Sequence, residues 1–188
     1  NCPIHWQGAL DAKYAHADQH DIAFTDNGDV VLANDGGVFV WDGTAVEDRS
    51  QGLDITQGYA LALNPLVQGQ ILLGTQDNGT NFLKPEVDAR ILDGDGFEGF
   101  FDADVADRLY ASAYYGLLFR SDDGGRTMTG IATYLQSSGP NEVGAWQTPF
   151  QMHPAVAGRI VAAKKSLHFS DDGGNNWTTW GGMGTVRS

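Results

Sequence analysis

One pattern recurs four times along this chain and limits what it can become: two short runs of β-branched, aliphatic and aromatic residues joined by a tight polar turn. It reads GDVVLANDGGVFVW at Gly28 to Trp41, GQILLGTQDNGTNFL at Gly69 to Leu83, DRLYASAYYGLLFRS at Asp107 to Ser121, and GRIVAAKKSLHFS at Gly158 to Ser170. A further short strand and polar turn precede each copy, as in DIAFTDNGD, YALALNPLVQGQ, FEGFFDADVADR and TPFQMHPAVAGR. A unit of three strands and a variable return, repeating every roughly 40 to 50 residues, has the period of a propeller blade of four antiparallel strands. The Asn-Gly, Asp-Gly and Gly-Gly dipeptides mark hairpins, because such turns need positive φ at central positions. Helical periodicity is nearly absent.

The predicted fold class is therefore all-β, a β-propeller arc over residues 1–188, with blades near 16–50, 51–92, 93–140 and 141–188. Twenty-five glycines, 19% charged residues and 11% aromatics fit a turn-rich β protein and not a disordered acidic tail. Four blades are few for a ring, and the final GTVRS resembles the start of another inner strand, so a larger ring is expected. An arc would leave strand edges free to associate with another chain.

Eleven Lys and Arg stand against 24 Asp and Glu, a formal charge of −13, which argues against nucleic acid or an anionic membrane as partner. No apolar run reaches the roughly 18–20 residues of a membrane-spanning helix. The single cysteine, Cys2, makes no internal disulfide and leaves the compartment open.

Two turns share a further pattern, Ser-x-Asp-x-Gly: Ser121, Asp123, Gly125, Thr127 and Met128, then Ser170, Asp172, Gly174, Asn176 and Trp177. A carboxylate at the third position can accept backbone N–H groups across the turn, glycine supplies the left-handed conformation, and the final large side chain packs on the neighbouring sheet. WDGTAVEDRS at Trp41 to Ser50 reads as a decayed copy. These are corners, not binding sites.

With them the chain resembles the Asp-box (BNR-repeat) β-propellers, a superfamily of sialidases, xyloglucan-cleaving inverting glycosidases, sortilin-type receptor ectodomains and an assembly factor of photosystem II. It is most similar to exported bacterial repeat proteins related to the sortilin and xyloglucanase types. The residues that carry this likeness are His16-Ala-Asp18-Gln-His20, Asn34 to Gly37, Gln76 to Thr80 and Asp93 to Gly96. The resemblance implies an extracellular, periplasmic or cell-surface location. It also implies that second-to-third strand turns and blade-to-blade links open on one end, called upper here, and Asp-box turns on the other. The upper end would collect Asn34, Asp35, Gln76, Asp77, Asn78, Tyr114, Tyr115, Lys164 and Lys165 from the turns, with His16, Asp18, His20, Thr56, Gln57, Asp93, Asp95 and Trp146 from the links.

Three constellations there could carry chemistry. His16, Asp18 and His20 alternate at period two, so on an extended segment they face one way and could ligate a divalent cation, although zinc needs a fourth ligand. DGDGFEGFF, with Asp93, Asp95 and Glu98, resembles the Gly-Asp-x-Gly-Gly-Phe stretch near a catalytic aspartate of the xyloglucan-cleaving enzymes, which implies Asp95 as the candidate acid or base for glycoside hydrolysis with Asp77 or Asp35 as its opposite; inversion needs two carboxylates roughly 6.5–9.5 Å apart. Gln76, Asn78, Tyr114, Tyr115 and Trp146, with Lys164, form an aromatic and amide set suited to a sugar or to a protein. Sialidase chemistry lacks its arginine cluster, since Arg120, Arg126 and Arg159 fall near lower turns or strand starts. The expected function is a non-enzymatic module that binds carbohydrate or protein, with no cofactor assigned beyond a divalent cation. A glycoside hydrolase and a structural assembly subunit are the alternatives.

Overall fold

The computed structural model describes residues 15–53, 56–133 and 139–182. The segment Gly184 to Ser188, expected to open another inner strand, lies outside them, as does Cys2. The chain forms two compact units that divide after residue 55.

The first unit holds one antiparallel sheet in the order β1 (Gln19–Phe24), β2 (Val30–Asn34), β3 (Gly37–Trp41) and β4 (Val46–Asp48). Strict pairing puts Ile22 opposite Leu32 and Phe24 opposite Val30, with Val30 opposite Trp41, so these apolar side chains share one face. Ile22, Phe24 and Trp41 are exposed on it. The β3–β4 corner is held by Asp42, whose Oδ1 accepts from the Thr44 and Ala45 amides at 2.8 and 2.9 Å and from the Thr44 hydroxyl at 2.7 Å. The expected decayed copy thus keeps its carboxylate and not its serine.

The second unit stacks three such sheets. They are β5 (Gly58–Leu63), β6 (Ile71–Thr75), β7 (Gly79–Leu83) and β8 (Asp88–Leu92); β9 (Gly96–Phe101), β10 (Leu109–Ala113), β11 (Leu117–Ser121) and β12 (Thr129–Ala132); and β13 (Phe150–Met152), β14 (Ile160–Ala163), β15 (Ser166–Ser170) and β16 (Thr178–Gly182). Alternation along β10 explains the stacking. Leu109 faces back to join Leu72, Phe82 and Phe101, while Tyr110 faces forward to join Phe100, Leu118, Phe150, Met152, Ile160 and Ala162. A sheet between two others has two buried faces, which is why β10 is buried throughout. Each fully buried Leu or Phe contributes roughly 2–3 kcal/mol on transfer. Within the second unit each end sheet has one neighbour, and Leu61 and Leu63 on β5 and Trp180 on β16 are exposed.

The first-to-second strand turns repeat one device with changing residues. Asn64 Oδ1 accepts from the amides of Leu66 and Val67, Asp102 Oδ1 from those of Asp104 and Val105, and His153 Nδ1 from that of Ala155. The Ser-x-Asp-x-Gly turns are near copies of each other. Ser121 Oγ accepts from the Gly125 amide at 2.9 Å and bonds Asp123 at 2.7 Å, and Asp123 takes the Thr127 amide and hydroxyl at 2.9 and 2.7 Å. In the second copy Ser170 bonds Gly174 at 2.8 Å and Asp172 at 2.9 Å, and Asn176 replaces threonine with bonds to Asp172 of 2.8 and 2.6 Å. An amide N–H takes the place of the hydroxyl without loss of the corner.

These turns also lock successive sheets. Trp177 packs against the β9–β16 core, its Nε1 donating to the Ile131 and Gly174 carbonyls at 3.1 and 3.0 Å, and Met128 packs against the core behind it. From the preceding sheet, Lys84 donates to the Gly124 carbonyl at 3.1 Å and Arg120 to that of Gly173 at 2.7 Å. Trp177→Ala is expected to lower stability by roughly 3 kcal/mol, measured by urea unfolding.

The corner carboxylates set the acid response. Bonds from the Thr127 hydroxyl and amide and from Ser121 lower Asp123 to about 2, and bonds from the Asn176 amide and side chain do the same for Asp172. A carboxylate more acidic folded than unfolded stabilises above its ordinary value of about 4 and loses that contribution as pH falls through the folded value. Stability should therefore drop between pH values of about 4 and about 2, and Asp172→Asn should flatten the drop. Denaturant midpoints across that range decide it, and an unchanged acid slope in the variant would rule the assignment out.

Candidate functional site

The upper end of the second unit is built from the turns between second and third strands and from the links into the following sheet. The β10–β11 turn is a single 3₁₀ turn, Tyr114–Gly116, with Tyr115 in the left-handed region at φ 58°. It is stitched to the link before β13 from both sides: the Tyr115 amide donates to the Trp146 carbonyl at 3.1 Å, and the Gly144 amide donates to the Tyr115 carbonyl at 2.9 Å. That stitch brings together aromatic residues about thirty positions apart.

The result is a continuous aromatic cluster. Tyr114 lies parallel to Trp146 with centroids 5.6 Å apart and planes inclined by 13°. Tyr115 meets Trp146 edge-on at 5.2 Å, and Phe97 does so at 5.9 Å. Tyr59 continues the row against Phe97 at 4.9 Å. Phe97 is buried, whereas Trp146 and Tyr115 remain 44% and 43% exposed. A rigid row with an open end offers large apolar area at small entropic cost. Sequence reading found Tyr114, Tyr115 and Trp146 and missed Tyr59 and Phe97. Their signal was present, since each follows the glycine that opens an innermost strand, Gly58-Tyr59 and Gly96-Phe97.

Polar groups lie on the elements that adjoin the row. Gln147 Nε2 donates to Glu98 Oε1 at 2.9 Å. In the β6–β7 turn the Gln76 amide donates to the Gln57 carbonyl at 3.0 Å, and the Asn78 amide to the Gln76 carbonyl at 2.7 Å. Asp77 sits at φ 56°, and Asp95 fixes it by accepting its amide on Oδ1 at 2.9 Å. Asp95 is itself buried, and its neighbour Asp93 pairs with Arg90 at 3.0 Å. The two carboxylates read as acid and base are thus joined as a turn and its cap. The DGDG stretch has a second use: a Cβ on Gly94 would stand 2.9 Å from Tyr114 Cε1, so only glycine lets that ring lie where it stacks on Trp146. Gly94→Ala should displace Tyr114 and weaken the near-ultraviolet circular dichroism of the cluster, with a stability loss of about 1–3 kcal/mol.

Two expectations are corrected. Lys164 does not project from its turn; it is 2% exposed and its Nζ donates inward to the Pro140 carbonyl, because the β14–β15 turn points its first side chain into the sheet interface. Lys165 takes the outward position. Burial lowers Lys164 to about 8, against an upward pull from Glu142.

The period-two argument for His16, Asp18 and His20 also fails locally. β1 starts only at Gln19, and Asp18 at φ 57° breaks the extended backbone that would align the three. In the first unit His20 Nε2 bonds Asp35 Oδ1, and His16 Nδ1 lies 3.2 Å from the Ala17 carbonyl. Among the described residues no three metal-ligating side chains come together. No described helix is long and apolar enough to cross a membrane.

No family model matches the chain, and no curated protein does. Solved structures match in fold. An ancestral GH74 enzyme aligns with a TM-score of 0.54 and 18% identity over 93% of this chain and 25% of its own. The GH74 xyloglucanase of Xanthomonas campestris aligns at 0.53 and 18% over 87% of this chain and 30% of its own. The chain therefore spans under a third of the length of these two proteins. Four antiparallel four-stranded sheets and these neighbours make the fold a partial β-propeller.

Proposed function

We propose that this chain belongs to an Asp-box propeller of an exported protein, and that its upper end binds a neutral carbohydrate chain without cutting it. The observation that carries the reading is the Tyr114–Trp146 stack, with Tyr115 and Phe97 at its edges and two of the four rings well exposed. Pyranose rings present flat C–H faces to such surfaces, and neighbouring amides satisfy their hydroxyls. The amides of Gln147, Gln76 and Asn78 belong to the adjoining link and turn. A net charge of −13 suits a neutral ligand better than an anionic one.

Binding without cleavage is supported by the use of the nearby carboxylates. Asp95 caps the Asp77 amide, Asp93 pairs with Arg90, and Glu98 accepts from Gln147. Asp-box membership is supported by the two Ser-x-Asp-x-Gly corners, which share the same hydrogen bonds.

Because one structural neighbour is a xyloglucanase, xyloglucan oligosaccharide is the first probe, with cellohexaose beside it. Calorimetric titration should show binding that Trp146→Ala weakens by about tenfold or more, near 1.4 kcal/mol, with no release of reducing ends. Equal affinity in the variant would remove the aromatic row from the site. Release of reducing ends that disappears in Asp95→Asn would replace the binding reading with a hydrolase.

A further inference from the structure

Beneath the aromatic row lies a set of buried ionisable side chains that the binding reading does not use. Lys164, Glu142 and His168 are 2%, 9% and 0% exposed. Glu142 comes from the link that carries Trp146, and its Oε1 accepts from the Ser166 amide at 2.6 Å and from His168 Nε2 at 2.9 Å. His168 Nδ1 lies 3.0 Å from Thr179 Oγ1. Burial pushes the Glu142 carboxyl up, but the His168 and Ser166 bonds outweigh it and hold the group below its ordinary value.

Lys164 touches both carriers of the stacked pair. Its Nζ donates to the carbonyl of Pro140, six residues before Trp146 in the same link. Its stem passes under the turn that carries Tyr114: a Cβ on Gly116 would stand 2.7 Å from Lys164 Cε and 3.2 Å from Nζ, and 3.1 Å from Thr148 Oγ1. Thr148 in turn donates to the Ala145 carbonyl at 2.8 Å. The missing side chain of Gly116 is the space the lysine occupies.

An ammonium group is an expensive filler for such a space, because burial of a charge costs more than burial of a methyl group of equal reach. What a charge adds over an apolar filler is direction, through bonds to particular atoms. Here those atoms belong to the link that bears Trp146.

We infer that Lys164 and Glu142 are positioning residues for the upper-end site, setting the distance and tilt of Trp146 against Tyr114 and so the affinity for the carbohydrate chain. The effect on affinity rests on the carbohydrate reading; the alignment of the rings does not. The charged group acting on Lys164 is Glu142, from the link; His168, from β15, bonds that same carboxylate, and the facing turn contributes Gly116. Lys165 beside it is exposed.

The test uses Lys164→Met and Glu142→Gln, each with and without Trp146→Phe, so that the difference in near-ultraviolet circular dichroism isolates the Trp146 signal. Both variants should lose most of that difference signal and bind xyloglucan oligosaccharide about tenfold more weakly. A second readout separates positioning from simple support. Lys164 sheds its proton near pH of about 8 in the folded state and later in the unfolded chain, so overall stability should rise with pH above that point. The Trp146 signal and the affinity should fall over the same range, and neither should respond there in Lys164→Met.

A wild-type difference signal in both variants overturns the proposal, as does a signal that rises together with stability. If the wild type binds neither oligosaccharide yet the difference signal still collapses in Lys164→Met, the carbohydrate reading falls and the positioning role stands. Should Lys164→Met fail to fold, Glu142→Gln, which keeps the shape and removes the charge, decides by the same signal.

Discussion

The second unit depends on one contact: the face of one sheet against the face of the next, made by side chains that alternate along each strand. A middle sheet must be apolar on both sides and still direct every second residue to a different neighbour. β10 does this with Leu109 and Tyr110, adjacent in sequence and buried in separate cores. Such a contact is non-directional and would tolerate sliding. The corners remove that freedom. Trp177 enters the core between β9–β12 and β13–β16 with its indole N–H on two carbonyls, and Arg120 reaches from the other side to Gly173 and Asn175. Hydrophobic area provides the attraction, and a few hydrogen bonds at the lower end fix the register between sheets.

That division leaves the upper end free to vary. The lower corners use the same bonds twice, with Asn176 standing in for Thr127, because their task is geometric and any side chain with a suitable donor performs it. The upper turns share no such chemistry. One is a capped aspartate turn at Asp77, one a 3₁₀ turn of two tyrosines, and one a lysine pair with its first member folded inward. A scaffold whose register is secured elsewhere can carry a long link such as the one bearing Trp146, and an aromatic row that runs from Tyr59 to Tyr115 across two sheets and the link to the third is the result. Exposed rings held by backbone bonds on either side are preorganised, which reduces the ordering cost of binding.

The cluster under this row illustrates the limit of pattern reading. Lys164 and Lys165 are identical in sequence terms and opposite in fate. The choice is made by Gly116, on a different sheet, which leaves room for one stem, and by Pro140, which offers a carbonyl at its end. Likewise Asp95 looks like a catalytic acid in its Asp-Gly setting and becomes a cap because Asp77, eighteen residues away, adopts a left-handed turn that needs its amide satisfied.

The sequence by itself determined the first three strands of each repeat, their antiparallel pairing, the corner turns and the division into four repeating sheets. All of these follow from alternation, turn residues and contacts between near neighbours in the chain. It also singled out Tyr114, Tyr115 and Trp146 as an aromatic set. Only the tertiary structure decided that Phe97 and Tyr59 extend that set, that Lys164 lies beneath it, and that His16, Asp18 and His20 do not share one extended face. Those outcomes depend on packing between residues far apart in the chain and on a single left-handed residue, for which local pattern carries no record.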